Sequence, residues 1–574
     1  MRRYTSRQII KTDRIPFVVS IFIILATVVI SRLFYIQVVD RKLYVAQAAS
    51  QHSMKDTIFA KRGSIYARDT LSNSPFLIAT NETLDLVYIS PKEVEDKEKV
   101  ITSLTSILGV KREDIESKWD PESMYLVVKH KTSKAESDAV RALGLKGVAL
   151  QPENWRIYPE NNLASSVLGF VNNEGDGNYG IEGTFNDILK GEDGYLNEET
   201  DSHGIKIAFG DNGSKAASDG TSVYLTIDRY IQGMAEKYLN DTVKKFSADS
   251  GNVIVMDKTD GKILAMANAP SFDPNKYTEV KDYKAFKNRA VTDVYEPGSV
   301  FKAVTLAAGV DAGKIKSTDT YTDTGSVVLN GNAIKNSDLK AHGVQTMSYV
   351  LEQSLNTGTT YVEQKLGKNL FYDYIKKFGF GESTGIEFDG EATGKVYKPD
   401  DLNEHGYATM SFGQSISMTP LQMLVAYATI ANDGKMMRPY IVDKTVSNSG
   451  KEKKTGPKEV RQVLSAAASR EMKEMLVNVV VKGHGKQAAV KGYKIAGKTG
   501  TAQVIKEDGT GYEDGKNIGT FVGFPVAENA NFVVLAKIDN PKGVQWAEST
   551  AAPVVGQMLD FLLKYYQIPP TEGQ

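Results

Sequence analysis

Tyr295-Glu296-Pro297-Gly298-Ser299-Val300-Phe301-Lys302 is the stretch on which the reading of the fold turns. Pro297 and Gly298 end whatever precedes them, and an apolar run follows at Ala303, Val304, Leu306, Ala307 and Ala308. This predicts a turn opening onto a buried helix, with Ser299 in its first turn. Residues three apart share a helical face, so the Lys302 amine comes within reach of the Ser299 hydroxyl. The free N–H groups of a helix start also offer donors to a developing negative oxygen. A serine hydroxyl is a weak nucleophile until a base takes its proton, and a buried, desolvated lysine can be that base. Alone, Ser-x-x-Lys is a weak signal, because a solvated helix start is spelled the same way.

The downstream sequence changes the weight of that motif. Ser354-Leu355-Asn356 and then Lys498-Thr499-Gly500-Thr501-Ala502 follow in order. The three elements together are the signature set of penicillin-binding proteins and serine β-lactamases. Leu355 stands where many β-lactamases carry Asp, which leans away from a lactamase. Further stretches run in the same order: Arg62-Gly63-Ser64-Ile65-Tyr66, Tyr179-Gly180-Ile181-Glu182-Gly183, Leu225-Thr226-Ile227-Asp228, Pro270-Ser271-Phe272-Asp273-Pro274, Asn288-Arg289-Ala290 and Thr419-Pro420-Leu421-Gln422. On these stretches the chain resembles the class B penicillin-binding proteins, monofunctional peptidoglycan D,D-transpeptidases, over nearly its whole length. One departure is local. After Arg62-Gly63 the family usually has an Asp-Arg pair, and here the positions are Ala67-Arg68.

The resemblance implies an α+β fold: a membrane-anchor helix, a mixed α/β pedestal, then a transpeptidase domain with an antiparallel sheet flanked by helices. It implies that Ser299 attacks the D-alanyl-D-alanine carbonyl of a stem peptide and that Lys302 is the base. Ser354 would relay a proton, and Asn356 would hold the substrate amide. Lys498 would keep Lys302 neutral and draw the terminal carboxylate, with Thr499 and Thr501 bonding it. Gly500 would let the strand edge approach the substrate, and the N–H groups of Ser299 and Thr501 would form the oxyanion hole. Expected partners are peptidoglycan stem peptides on lipid II-derived glycan strands, β-lactams, the membrane, a glycosyltransferase of the shape-and-division (SEDS) polymerase family, and division proteins. The residues 295–299 and 419–422 are similar to division-type members; elongation-type members more often show a second proline before the glycine.

Composition sets the outer bounds. The 574 residues leave room for roughly three or four domains. Hydrophobic residues at 41% and charged residues at 24% are ordinary for globular folds. A formal net charge of −1 gives no argument for nucleic-acid binding. The absence of cysteine excludes disulfides, thiol nucleophiles and thiolate metal sites. The six histidines are scattered without paired ligand spacing, so no metal and no cofactor is expected.

Arg2, Arg3, Arg7, Lys11 and Arg14 face a single early acid, Asp13, and an apolar run follows from Ile15 to Val39 interrupted by Arg32. Such a run is long enough to cross a bilayer, which takes about 20 residues. The basic flank orients the N-terminus to the cytoplasm and the rest outside. A cleaved signal peptide is the competing reading, with Ala46-Gln47-Ala48 as its site. The expected domains are a cytoplasmic tail (1–14), a transmembrane helix (15–39), a non-catalytic, dimerisation-like pedestal (40–220), a transpeptidase domain (221–566) and a short tail (567–574).

Within the pedestal, 84–89 and 125–128 read as strands and 97–108, 112–119 and 134–143 as helices; 40–53 could extend the anchor helix. The Gly/Ser/Asp-rich 210–220 reads as the domain junction. Beyond it, 228–246 has helical spacing, and Asp260-Gly261 joins two apolar runs as a hairpin. Strands are expected at 493–504, 519–524 and 532–538, and a helix at 554–565. Bland readings stand beside the functional ones. Ser354 and Asn356 could be a helix cap and 498–500 a plain turn. Tyr295 and Glu296 read as structural, 418–423 as core, and 451–454 as a solvated loop. Two other functions fit parts of the pattern: a D,D-carboxypeptidase or β-lactam sensor of the same superfamily, and a silent scaffold.

Overall fold

The computed structural model describes residues 15–41, 53–199, 214–506, 511–544 and 546–570. The expected 1–14 tail, most of the 40–53 continuation and the first part of the 210–220 junction lie outside them, as does the end of the 567–574 tail. Two compact units are present: residues 1–60 with 192–218, and residues 61–191 with 219–574.

The first unit holds the helix Ile15–Phe34, continued by a wider helical turn, Tyr35–Val39. Pro16–Val39 is a 24-residue span of mean hydropathy 2.5, long and apolar enough to cross a bilayer. The same unit carries an antiparallel pair, Ser53–Ile58 with Gly194–Glu199.

In the second unit, a sheet of seven strands runs in the order Glu452–Lys454, Val442–Val446, Ser222–Asp228, Ile65–Asp69, Ser74–Ile89, Leu126–Thr132, with Val148–Ile157 paired to Ser74–Ile89 off that path. Ile65–Asp69 and Ser222–Asp228 run parallel, so strands on both sides of the sequence junction share one sheet. The expected strand at 84–89 is the end of a strand running from Ser74 to Ile89, and 451–454 pairs as an exposed edge instead of looping freely. The helices Lys97–Leu108 and Lys134–Leu143 keep the expected bounds because their ends are capped. Asp96 accepts from the Lys99 N–H at 3.0 Å, and Ser133 with Glu136 forms a reciprocal capping box. The third, Arg112–Glu116, stops three residues early. These helices bury Val100, Ile101, Leu104, Leu108, Ile115 and Val140 against Val87, Ile89 and Leu126.

The family stretches at 62–66 and 179–183 meet in one buried cluster. Arg62 Nε donates to Glu182 Oε2 at 2.7 Å, Arg156 Nε to Glu182 Oε1 at 2.6 Å, and the Tyr158 hydroxyl to Glu182 Oε1 at 3.2 Å. Glu182 is fully buried, so the acid that braces Arg62 comes from a distant turn and not from the strand that follows it.

Among the described residues a five-stranded antiparallel sheet carries the rest, in the order Ile263–Ala269, Ser250–Asp257, Phe532–Asp539, Tyr512–Pro525, Ile495–Ile505. The Asp260-Gly261 turn makes the first hairpin, as its sequence predicts. Side chains alternate across a strand, and here both faces are covered. Val253 and Val255 enter a core with Ile231, Leu239, Val534 and Leu559, from the helices Arg229–Lys245 and Ala551–Tyr565. Ile254 and Met256 enter the other core with Val304, Leu424, Tyr427 and Met472. That second core surrounds the helix Lys302–Asp311, buried from Lys302 to Gly309, together with the helices Pro420–Ala431 and Ala466–Val481. The apolar 418–423 stretch is core, as expected. Ile495–Ile505 is the sheet's last strand, so one edge of it has no strand partner and stands beside the serine turn.

Candidate active site

Ser299 lies in a short 3-10 turn, Gly298–Phe301, that runs directly into the helix starting at Lys302. Gly298 has φ +59°, a conformation that glycine adopts without penalty. Its N–H donates to the Gly413 carbonyl at 3.1 Å. Tyr295 exchanges both backbone hydrogen bonds with Met418, at 3.0 and 3.1 Å, and the Tyr427 hydroxyl donates to the Val300 carbonyl at 2.8 Å. Glu296 accepts from the Ser415 N–H and the Tyr512 hydroxyl, each at 2.8 Å. Tyr295 and Glu296 thus hold the turn in place, the structural part expected of them.

The strand carrying Lys498 packs against this turn. A side chain at Gly500 would put its Cβ 2.7 Å from the Pro297 carbonyl oxygen and 2.9 Å from the Val300 nitrogen. Only hydrogen fits there, so the residue-type choice at 500 sets how closely Thr501 approaches Ser299. Residues 498–500 are therefore an edge strand, not a plain turn.

Lys302 is fully buried. Its Nζ donates to the Ser354 carbonyl at 2.5 Å, the Ser354 Oγ at 3.2 Å and the Asn356 Oδ1 at 2.6 Å. An ammonium has donors for all three of these acceptors, and an uncharged amine for two of them at a time. Among the described residues no hydrogen bond joins the Ser299 hydroxyl to Lys302; the amine is turned to the second motif instead. Ser354 stands at φ +57°, which aims its carbonyl at that amine, a strained backbone of the kind stored at functional sites. Asn356 opens the helix Asn356–Leu366, yet its side chain caps nothing: its Nδ2 donates to the Lys335 carbonyl at 2.8 Å. The helix-cap reading of this motif is thereby removed. A Thr357–Asp323–Asn336 network backs it, with the Thr357 hydroxyl 2.8 Å from Asp323 and the Asn336 amide 2.9 Å from Asp323.

Lys498 is also fully buried, its Nζ donating to the Thr499 carbonyl at 3.1 Å and the Thr499 hydroxyl at 3.3 Å. Burial pushes Lys498 down to about 7, partly offset by the negative charge of Glu548. Burial first, and the Lys498 charge second, hold the Lys302 amine well below the usual lysine range. Both causes favour the uncharged form of the Lys302 amine, beside a second lysine that titrates near neutrality.

All three motifs meet at one cleft of about 290 Å³. Ser299, Ser354, Thr499 and Thr501 line it, while Lys302, Asn356 and Lys498 sit just behind its wall. The same cleft is lined by Asp338, His484, Trp546 and Glu548. Sequence reading missed these four, since each stands alone without a motif and only the tertiary fold brings them together. No group of His, Cys, Asp and Glu able to hold a metal occurs among the described residues.

Comparison with known proteins agrees with this architecture. Residues 251–560 match the family described as "Penicillin binding protein transpeptidase domain", and residues 57–225 match "Penicillin-binding Protein dimerisation domain". The chain is 32% identical to "Stage V sporulation protein D" of Bacillus subtilis, over 98% of this chain and 87% of that one. It is 30% identical to "Penicillin-binding protein PbpB" of Mycobacterium tuberculosis, over 96% and 84%. Among solved structures it is similar to a peptidoglycan synthetase from Bifidobacterium adolescentis, with a TM-score of 0.72 and 26% identity, covering 91% of this chain and 98% of that one. It is similar as well to the M. tuberculosis penicillin-binding protein 3 complexed with aztreonam, with a TM-score of 0.69 and 27% identity, covering 90% and 100%. On the fold, the converging motifs and these matches, the chain belongs to the class B penicillin-binding proteins, with a dimerisation domain followed by a transpeptidase domain.

Proposed function

We propose that the protein is a peptidoglycan D,D-transpeptidase working through an acyl-enzyme on Ser299. The observation that carries this is the pair of buried lysines converging behind a serine that opens onto the free edge of a sheet. The Ser299 Oγ attacks the penultimate D-alanine carbonyl, and its proton passes to the neutral Lys302 amine, directly or through Ser354. Charge developing on the carbonyl oxygen is met by the N–H groups of Ser299 and Thr501. The C–N bond then breaks, and the terminal D-alanine leaves with the proton held by Lys302. An amine of a second stem peptide attacks the ester, its proton returns to Ser299, and the cross-link remains. Asn356 holds the donor amide, the edge strand pairs with its backbone, and Lys498, Thr499 and Thr501 receive its terminal carboxylate.

The test is product analysis with the full-length protein and lipid II-derived glycan strands as substrate. Cross-linked dimers appearing with released D-alanine support the reading. Release of D-alanine without dimers makes it a carboxypeptidase, and neither product leaves the scaffold reading.

The apolar span Pro16–Val39 supports a single-pass anchor with residues 1–14 cytoplasmic and the catalytic domain outside. In that setting the enzyme works beside a SEDS-type glycosyltransferase and division proteins at the septum, and β-lactams acylate the same serine. A curated relative named "Peptidoglycan D,D-transpeptidase FtsI homolog", from Mesostigma viride, is 28% identical and supports the transpeptidase reading. The Bacillus relative's sporulation name favours a second, developmental duty. Depletion separates them: filaments support septal work, rounded cells elongation, and normal growth with failed sporulation the developmental duty.

A further inference from the structure

Cross-linking needs a second substrate, and that substrate arrives as a cation. An aliphatic amine is an ammonium in neutral water, so a cleft that selects it over water is served by a carboxylate. Among the described residues the cleft holding Ser299 is lined by two, Asp338 and Glu548, and by no Lys or Arg. They stand on different segments. Glu548 lies in the turn Ala547–Ser549, whose Ala547 N–H donates to Thr501 Oγ1 at 3.1 Å. In the proposed mechanism Thr501 receives the donor's terminal carboxylate, so that end of the cleft is given to an anion. Asp338 belongs to the loop that backs the second motif.

That loop is fastened on both sides. Asn356 Nδ2 donates to the Lys335 carbonyl at 2.8 Å, and the His342 N–H donates to Asp323 Oδ2 at 3.0 Å. Asp323 in turn accepts from the Thr357 hydroxyl at 2.8 Å and the Asn336 amide at 2.9 Å. Between these ties the carboxylate itself is held. His342 Nε2 donates to Asp338 Oδ2 at 2.9 Å, and the Lys340 N–H donates to Asp338 Oδ1 at 3.1 Å. The imidazole is oriented by the Tyr349 hydroxyl, 3.4 Å from His342 Nδ1. Yet the Asp338 side chain is 43% exposed. A carboxylate offers about four lone-pair sites, and two are used here, so acceptors remain for an incoming ammonium.

We propose that Asp338 is the specificity-determining residue for the acceptor: it receives the ammonium of the second stem peptide beside the Ser299 ester. The inference rests on the acyl-enzyme reading above. It adds no bond-making step. The bound ammonium gives one proton to water, and the neutral amine attacks the ester carbonyl. The C–N bond forms as the C–O bond to Ser299 breaks, and the second proton passes to Ser299 Oγ. Asp338 acts before that sequence, by holding the amine at an ester for which water competes.

The experiment measures how the acyl-enzyme divides between products. The full-length protein is acylated by lipid II-derived glycan strands, and the ratio of cross-linked to hydrolysed product is measured. The ratio of hydroxamate to hydrolysed product is measured with added hydroxylamine, a nucleophile that is uncharged at neutral pH. Asp338→Asn should lower the cross-linking ratio about fivefold, the upper end for an ion pair open to solvent, and keep the hydroxylamine ratio. Asp338→Glu should recover part of the cross-linking, and His342→Gln should lose part of it. A cross-linking ratio equal to wild type in Asp338→Asn, or an equal loss with both nucleophiles, overturns the proposal. A raised KM for the donor strand with an unchanged ratio also overturns it, because the donor's own amine would then be what Asp338 meets. Should Asp338→Asn fail to fold, wild type decides: added salt should depress cross-linking and spare hydroxylamine, and an equal response overturns the proposal. Failure to form any acyl-enzyme on Ser299 would instead sink the reading beneath it.

Discussion

Lys302 Nζ stands 2.6 Å from Asn356 Oδ1, so a side chain of the first motif and one of the second form a single hydrogen-bonded unit. Changing Asn356 to Asp would replace a neutral acceptor with a negative charge at that distance. The carboxylate favours the protonated lysine, so Lys302 would remain an ammonium to higher pH and stop serving as a base near neutrality. Asn356→Asp should therefore lower acylation at neutral pH by about tenfold or more and move the acid limb of the rate profile upward. The check is the rate of penicillin labelling across pH; an unmoved acid limb would count against Lys302 as the base.

The wild-type profile follows from the two lysines. On the proposed mechanism, acylation requires Lys302 neutral and Lys498 charged. Lys302 lies well below the ordinary range, so the rate falls only when acid finally protonates it. Lys498 titrates at about 7, so the rate declines on the alkaline side as it loses its proton. Lys498→Arg keeps the charge at all these pH values, and its profile should lack the alkaline limb even though the maximal rate drops.

Gly500→Ala should separate the strand from the serine turn. Its Cβ would sit 2.7 Å from the Pro297 carbonyl oxygen and 2.9 Å from the Val300 nitrogen, backbone atoms that cannot rotate away. We expect a loss of acylation of about a hundredfold, as for other misplacements near 1 Å, with the melting temperature little changed. Labelling kinetics and a thermal melt on the same sample decide it.

Glu182→Gln should act on stability and not on chemistry. It removes the one charge that Arg62 and Arg156 share, at 2.7 and 2.6 Å, in a site with almost no solvent exposure. Breaking a buried pair by taking one partner costs about 3–5 kcal/mol. Denaturant unfolding should show that loss, while the folded fraction labels with penicillin at the wild-type rate.

Much of this molecule is written in local signals. Helix 97–108 kept its bounds because Asp96 and Gly109 mark its two ends, and the hairpin at Asp260-Gly261 needed only its turn. The eight expected site residues gather around one cleft because their motifs carry the family's spacing. What local pattern could not show is which partner Lys302 turns to, since that depends on the left-handed backbone at Ser354. Nor could it show that Glu182 braces Arg62, or that His484 and Glu548 meet, since both contacts join segments far apart in the chain. The parallel pairing of Ile65–Asp69 with Ser222–Asp228 was hidden for the same reason.

The most direct measurement is intact-mass and peptide mapping of the protein after reaction with a fluorescent penicillin, for wild type and Ser299→Ala. One covalent adduct is expected, on the peptide containing Ser299, and none on the variant. An adduct on another residue, or equal labelling of both proteins, would contradict it.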